Sequence, residues 1–185
     1  MAVLAQYNGG AATADSADAN VTAGNLTNGS LTSFNVNQTL GYASDPAYTA
    51  FRSAAAATNI ADAITNNSYF SVTVTPASGY TMNLTSLTFT AARGGASTPR
   101  GYGVRSSIDS YASSLGTADL ATQRTTWTNV SIDLTGASFQ GIGAITFRIY
   151  IYAPINTVAV DLDTIALNGT MVAPATSTGN FFQFL

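Results

Sequence analysis

The chain contains no lysine, glutamate, histidine or cysteine, so its six basic residues are all arginine and its nine acidic residues are all aspartate. It therefore has no imidazole for acid–base chemistry, no thiolate nucleophile and no amine for a Schiff base. It also lacks the Cys and His ligands of a zinc site. These absences favour a structural or binding role and predict that the protein is not an enzyme and needs no catalytic cofactor.

Charge is scarce, at 8% of residues, and the net charge is -3. A protein with this net negative charge lacks the positively charged surface with which proteins bind nucleic acids. No apolar run approaches the ~20 residues of a membrane span. The first twenty residues have neither a basic start nor a long apolar segment, so they do not form a signal peptide as they stand.

The length of 185 residues fits one domain, and apolar residues make up 46% of the chain. From residue 68 onward the apolar residues recur with a period of two, which is typical of half-buried strands. The phase of this alternation changes between Leu84 and Leu87 and again at Asp163-Thr164, as a β-bulge would produce. Seven or more short strands separated by turn residues predict an all-β, antiparallel β-sandwich of jelly-roll type.

The region 46–65 is the one candidate for a helix. Asp45-Pro46 resembles a helix start, because Asp can cap the first N–H groups and Pro is tolerated at the first helical position. The segment that follows is rich in alanine, and a long alanine-rich loop fits it equally well. We therefore expect at most one short helix near 46–65.

Three runs carry a resemblance to a known type of domain: YFSVTVTPASGYTMNLTSLTFTAARGGASTPRGYGVRSSIDSYASSL, TWTNVSIDLTGASFQGIGAITFRIYIYAP and VDLDTIALNGT. Together they resemble the jelly-roll β-sandwich of bacterial extracellular proteins that carry a C-terminal sorting signal, and the outline is similar to that of a carbohydrate-binding module. The resemblance covers roughly 68–170. Tailed bacteriophages carry domains of this type as capsid decoration or fibre proteins, and these need neither a leader nor a sorting signal, both of which this sequence lacks.

Asp161 and Asp163 are two residues apart on a predicted strand, so their side chains are expected on one face. Two carboxylates with added backbone carbonyls can bind Ca²⁺. The alternative is that one Asp is exposed and the other caps the bulge at Thr164. A structural calcium ion is thus the one metal that the sequence suggests.

The segment ARGGASTPRGYGVRSSID combines arginines, a tyrosine and an aspartate with loop-forming residues. Arg and Tyr supply planar hydrogen-bonding and stacking groups, which suits recognition of a sugar. An Arg–Asp pair that ties the loop to a strand end is the structural alternative, and we prefer it. If the segment binds a ligand, the candidate contacts are Arg100, Tyr102, Arg105 and, on the strongest strand, Tyr150.

The last fifteen residues, 171–185, form a Pro/Thr/Ser/Gly-rich linker with an apolar tip, and we assign them to a C-terminal arm that follows a domain over 1–170. Burying an aromatic side chain typically contributes about 1.5–3 kcal/mol, so the tip is expected to find a partner surface. The candidate partner-binding residues are Phe181, Phe182, Phe184 and Leu185.

Two functions follow from these observations. The first is a non-enzymatic virion protein that decorates or cements a phage capsid, binding capsid or other virion proteins and forming a homo-oligomer, with a trimer as one symmetric form. The second is an extracellular or cell-surface module that binds polysaccharide. Both exclude nucleic acid as a partner and a membrane span.

Overall fold

The computed structural model describes residues 2–39, 47–52, 56–120 and 127–175. Within these ranges the chain forms two antiparallel sheets that pack face to face, which confirms the predicted antiparallel β-sandwich. Seven strands belong to the first sheet and six to the second. A single short helix lies outside the second sheet.

The strands of the first sheet are β1 Ala2–Tyr7, β2 Ser16–Ala17, β5 Ser33–Thr39, β6 Ala47–Arg52, β8 Thr81–Arg93, β11 Thr128–Asp133 and β13 Ala159–Val172. Those of the second are β3 Val21–Ala23, β4 Thr27–Asn28, β7 Tyr69–Pro76, β9 Gly101–Ser106, β10 Gly116–Asp119 and β12 Ile145–Tyr152. The helix, α1, spans Ile60–Thr65. The long strand β13 is central, because it pairs with β8 on one side and with both β1 and β6 on the other.

The period-two alternation of the sequence corresponds to the inner faces of the two sheets. On β7 and β12, the apolar side chains are buried while the alternate residues are at least partly exposed over most of the paired length. The core between the sheets is made of aliphatic and aromatic side chains, among which the fully buried ones include Leu4, Phe70, Leu84, Leu87, Phe147 and Ile149.

Both predicted phase changes are β-bulges in the pairing of β8 with β13. Asn168 pairs with Ser86 and the next residue, Gly169, pairs with Leu84, so Thr85 is the extra residue on β8. On β13 the register shifts between Asp163 and Ala166, and Thr164 has a positive φ of 51°. The bulges keep apolar residues inward on both sides of each slip, as the sequence predicted.

The helix lies in the predicted region but is shorter than the sequence pattern suggested. Ala47–Arg52 forms strand β6, paired with β5 and β13, so the extension of the helix toward Asp45-Pro46 was wrong as far as residues 47–52 are concerned. The helix begins after Asn59, whose side chain accepts a hydrogen bond from the Asp62 N–H. Asp45 and Pro46 themselves lie outside the described residues.

Strand β13 continues to Val172, which pairs with Thr81. Residues 173–175 follow it without regular structure. The candidate contacts Phe181, Phe182, Phe184 and Leu185 lie outside the described residues, so the boundary at 170 and the binding role of the arm stay predictions.

Candidate functional site: a polar pocket at one end of the sandwich

A pocket of about 260 Å³ opens at one end of the sandwich. It lies where strands β5, β6 and β13 run side by side and where the loops after β8 and before β13 meet them. Ser33 pairs with Arg52, and Arg52 pairs with Ala159, so these three neighbours form one row across the pocket floor. The complete lining is Ser33, Asn35, Ala50, Arg52, Gly94, Arg100, Thr157, Val158 and Ala159.

Arg100 is the most firmly held side chain of the lining. It is only 2% exposed. Its Nε donates to the carbonyl oxygen of Ser97 at 2.8 Å, and its Nη1 donates to that of Ala159 at 2.6 Å. The same Ala159 oxygen accepts the Gly94 N–H at 3.0 Å. The guanidinium therefore joins the loop after β8 to the start of β13 and is fixed in position before any ligand arrives.

Two glycines allow this close approach. A methyl group at position 94 would lie 2.7 Å from both the Cβ and the carbonyl oxygen of Ala159. A methyl group at position 95 would lie 3.1 Å from Nη2 of Arg100. The lack of side chains at Gly94 and Gly95 thus lets the loop pack closely against β13 and the guanidinium group of Arg100.

Arg52 is the second cation of the pocket, and it was not among the residues that sequence reasoning selected. Its side chain is exposed, and its Nη1 donates to the carbonyl oxygen of Thr157 in the loop before β13. The sequence signal for it was hidden by the alanine-rich context, which suggested a helix or loop rather than a strand beside β13.

Charged groups of both signs lie near Arg100. Burial and the nearby charge of Arg93 lower the pKa of Arg100, while Asp161 opposes this effect. Arg93 is itself buried and donates to the carbonyl oxygen of Ala96. Three of the six arginines therefore gather at this end of a chain whose net charge is -3.

The other predicted ligand contacts do not join Arg100 in one surface. Tyr102 is 7% exposed and packs edge-to-face on Phe89 in the core, with ring centroids 5.2 Å apart. Arg105 donates to the carbonyl oxygens of Tyr111 and Ala112 at 2.7 and 3.0 Å. It thus supports the loop after β9 from the outer face of the second sheet.

In the loop after β9, Arg105 and Asp109 both contact backbone groups, and the Arg–Asp pair that we preferred from the sequence stays a prediction for the rest of the segment. Asp109 accepts the N–H groups of Ala112 at 3.2 Å and Ser113 at 2.8 Å, while Arg105 binds carbonyl oxygens of the same loop. Hydrogen bonds from Ser113 keep the pKa of Asp109 below its ordinary value. Arg105 and Asp109 therefore each bind backbone groups of this loop.

Tyr150, the fourth predicted contact, is 3% exposed. It belongs with Tyr152, Ala57 and Ala63 to a small cluster under helix α1, which covers this part of the second sheet. Its ring packs edge-to-face on Tyr69 at a centroid distance of 5.2 Å. Tyr150 is therefore part of a buried seam rather than an open platform.

Arg148, next to this seam, is sandwiched between two aromatic rings. Its guanidinium carbon lies 3.7 Å from the ring centroid of Tyr111 and 4.3 Å from that of Tyr69. Both distances are within the range of a cation–π contact. The side chain is half-buried, and the arrangement fixes the loop that contains Tyr111 onto the sheet.

Asp161 and Asp163 have different environments. Asp163 Oδ1 accepts the N–H groups of Thr164 at 2.7 Å and Gly9 at 2.9 Å, so this carboxylate caps the bulge and ties it to the end of β1. Asp161 is fully buried, not exposed. No group of three acidic side chains in the described part of the chain could hold a metal ion. A calcium ion at Asp161 and Asp163 would need backbone carbonyls for its remaining ligands, and it stays a prediction.

Across the described ranges, no helix has the length and apolar character needed to cross a membrane.

The fold and the pocket define a β-sandwich with a polar end site, and comparison with known proteins adds no family to this description. No family model and no curated protein matches the chain. Among solved structures, the chain is similar to the K1 cleaved adhesin domain of Lys-gingipain from Porphyromonas gingivalis W83, at 14% identity and a TM-score of 0.42, covering 83% of this chain and 92% of that one. It is also similar to a cyclase from Fischerella sp. TAU, crystallised with 4-(1H-indol-3-yl)butan-2-one, at 15% identity and a TM-score of 0.37, covering 70% and 65%. Both TM-scores lie below 0.5, so neither likeness indicates a function for this chain.

Proposed function

We propose that the chain is a non-enzymatic binding module, located outside the cell or on a cell surface, that holds a carbohydrate in the end pocket. The observation that carries the proposal is the pocket itself, with Arg100 fixed by two carbonyl oxygens and Arg52 by a third. Hydrogen-bonding groups that are already fixed lose little conformational entropy when a ligand binds, which favours recognition.

Two of the aspartates have environments that do not suit a general acid. Asp109 and Asp133 bind amide groups of their own loops, and these hydrogen bonds lower the pKa of both carboxyl groups. A general acid at neutral pH needs the opposite shift. The other hydrogen-bonded aspartates also accept from nearby groups, namely Asp15, Asp18, Asp62, Asp119 and Asp163.

The proposal can be tested by closing the pocket without changing its charge. Ser33 lies half-buried at the pocket wall on β5. Ser33→Trp should fill the space and abolish retention of the protein on a panel of insoluble polysaccharides. Thr75→Trp, at an exposed position on β7, is the matched control and should be retained like the original chain. Equal retention of both variants would contradict the proposal, and retention that falls only with chelator would instead support the calcium hypothesis.

The virion-decoration hypothesis depends on the arm, and its residues lie outside the described part of the chain. Nothing in the described sandwich favours a capsid or another virion protein as the partner, or a trimer as the assembly. Its test is truncation after Gly179: the hypothesis expects a folded sandwich that no longer assembles, and normal assembly of the truncated chain would contradict it.

A further inference from the structure

We propose that the end pocket recognises an acidic sugar, binding its carboxylate or sulfate group between Arg52 and Arg100, an inference that rests on the proposed carbohydrate-binding function. The shared chemistry of these ligands is a planar or tetrahedral oxyanion on a polyhydroxylated ring.

The charge of the lining is positive. Arg52 and Arg100 both line the pocket, and none of the described residues that line it is acidic. The chain has no glutamate at all and carries a net charge of -3, so a doubly cationic pocket runs against the overall charge. Two like charges in one recess repel each other, and together they attract an anion from solution.

Neither guanidinium group uses all of its donors for the carbonyl oxygens that hold it. Arg100 uses Nε and Nη1 for Ser97 and Ala159, and Arg52 uses Nη1 for Thr157. An arginine has five N–H donors in a planar fork that matches the geometry of a carboxylate or sulfate. The backbone carbonyls orient the forks, and the remaining N–H groups can donate to the ligand.

Burial adds to the preference for an anion. Arg100 is 2% exposed, and its carbonyl partners carry no formal charge. Burial and Arg93 lower its pKa, and Asp161 opposes this effect. A hydrogen bond between two charged groups is roughly twice as strong as a neutral one. An acidic group is therefore expected to gain more from this pocket than a hydroxyl group.

Neutral groups on the β5 side of the pocket fit the rest of a sugar. Ser33 and Asn35 are two residues apart on β5, so both are on the face that carries Arg52 and Ala50. Hydroxyl and amide side chains both donate and accept, as sugar hydroxyl groups require. At about 260 Å³ the pocket is near the lower end of small-ligand sites, which suits one ring rather than a chain of rings.

The test compares ligands that differ only in charge. Binding of the full chain is measured by calorimetry to polygalacturonate and to its methyl-esterified form, and in parallel to dextran sulfate and to dextran. We expect the acidic member of at least one pair to bind about tenfold more tightly, and the pair that responds identifies the group as carboxylate or sulfate. Equal affinity within both pairs would overturn the inference while leaving the carbohydrate-binding function intact. Absence of binding to all four would overturn both.

Matched variants separate the pocket from general charge attraction. Arg52→Gln should weaken binding of the acidic ligand about tenfold and weaken binding of the neutral ligand less. Arg148→Gln removes the same charge from the outer face of the second sheet and should bind like the original chain. If Arg148→Gln weakens binding as much as Arg52→Gln, the attraction is not specific to the pocket and the inference is wrong. Thermal unfolding of each variant confirms that it is folded.

Discussion

Arg100 donates a hydrogen bond from Nη1 to the carbonyl oxygen of Ala159 at 2.6 Å, across 59 residues of chain. The acceptor is a backbone group and not a carboxylate. Arg52, Arg93 and Arg105 likewise donate to carbonyl oxygens. In a chain with so few charges, the arginines hold loops in place, and at one end of the sandwich this arrangement also builds a pocket.

The fork of Arg100 should matter more than its charge. Arg100→Lys keeps the charge but cannot donate to Ser97 and Ala159 from one rigid plane. We expect the free energy of unfolding, measured in urea, to fall by about 1–3 kcal/mol because buried carbonyl oxygens lose their partners. Arg52→Lys, at an exposed side chain, is the control and should change it by less than about 0.5 kcal/mol. Equal losses in the two variants would show that the buried fork has no special role.

Thr164 has a left-handed backbone conformation, with φ at 51°, which is uncommon for a β-branched residue. Thr164→Gly should remove this strain and raise the free energy of unfolding by about 0.5–1 kcal/mol. Thr170, also exposed on β13, is the matched control, and Thr170→Gly should destabilise by up to about 1 kcal/mol. If both substitutions destabilise the protein alike, the bulge is not strained at this position.

Tyr7 should make the protein sensitive to alkali. Burial raises its pKa to about 12, and its hydroxyl donates to the carbonyl oxygen of Gly24 at 2.7 Å. In the unfolded chain the tyrosine hydroxyl ionises near pH 10. The contribution of Tyr7 to the free energy of unfolding is therefore fully present below pH 10, and it falls by roughly 1.4 kcal/mol per pH unit as the pH rises toward 12. Tyr7→Phe should flatten this slope in urea titrations between pH 10 and 11.5, although it lowers stability at pH 7. A slope equal to that of the original chain would contradict this assignment.

Helix α1 rests on Gly103 of strand β9. A methyl group at position 103 would overlap Cδ1 of Ile60. Gly103→Ala should therefore cost about 1–3 kcal/mol through overpacking. Ile60→Ala in the same chain should restore part of that loss. The double variant should therefore lose about 1 kcal/mol less unfolding free energy than the sum of the losses in the two single variants. If the losses of the two single variants simply add in the double variant, then Ile60 of α1 does not pack closely against Gly103 of β9.

The sequence predicted the strands and both bulges because their signal is local. A change of phase between Leu84 and Leu87 can only keep both residues buried if one residue is extra, and the structure has Thr85 in that role. The segment Ala47–Arg52 was misassigned because its strand conformation depends on pairing with β5 and β13, which are distant in sequence. Tertiary pairing here outweighs the helical preference of alanine.

The candidate site was harder to predict, because strand periodicity shows which residues share a face and not what covers that face. Tyr150 shares a face of β12 with Arg148, but α1 covers the tyrosine. The pocket brings together residues from β5, β6 and two loops, and only Arg100 of the predicted contacts lines it. The spacing of residues along the chain does not show which distant segments lie together in the folded protein.

The most direct test of the end pocket is a map of where a sugar binds. Amide chemical shifts of the ¹⁵N-labelled full chain would be followed while trigalacturonate and, separately, cellotriose are added. We expect the largest shifts for trigalacturonate at the N–H groups of Gly94, Arg52 and Ala159, around the pocket. Shifts that centre instead on Tyr69, Tyr111 and Arg148, or no shifts with either sugar at millimolar concentration, would contradict it.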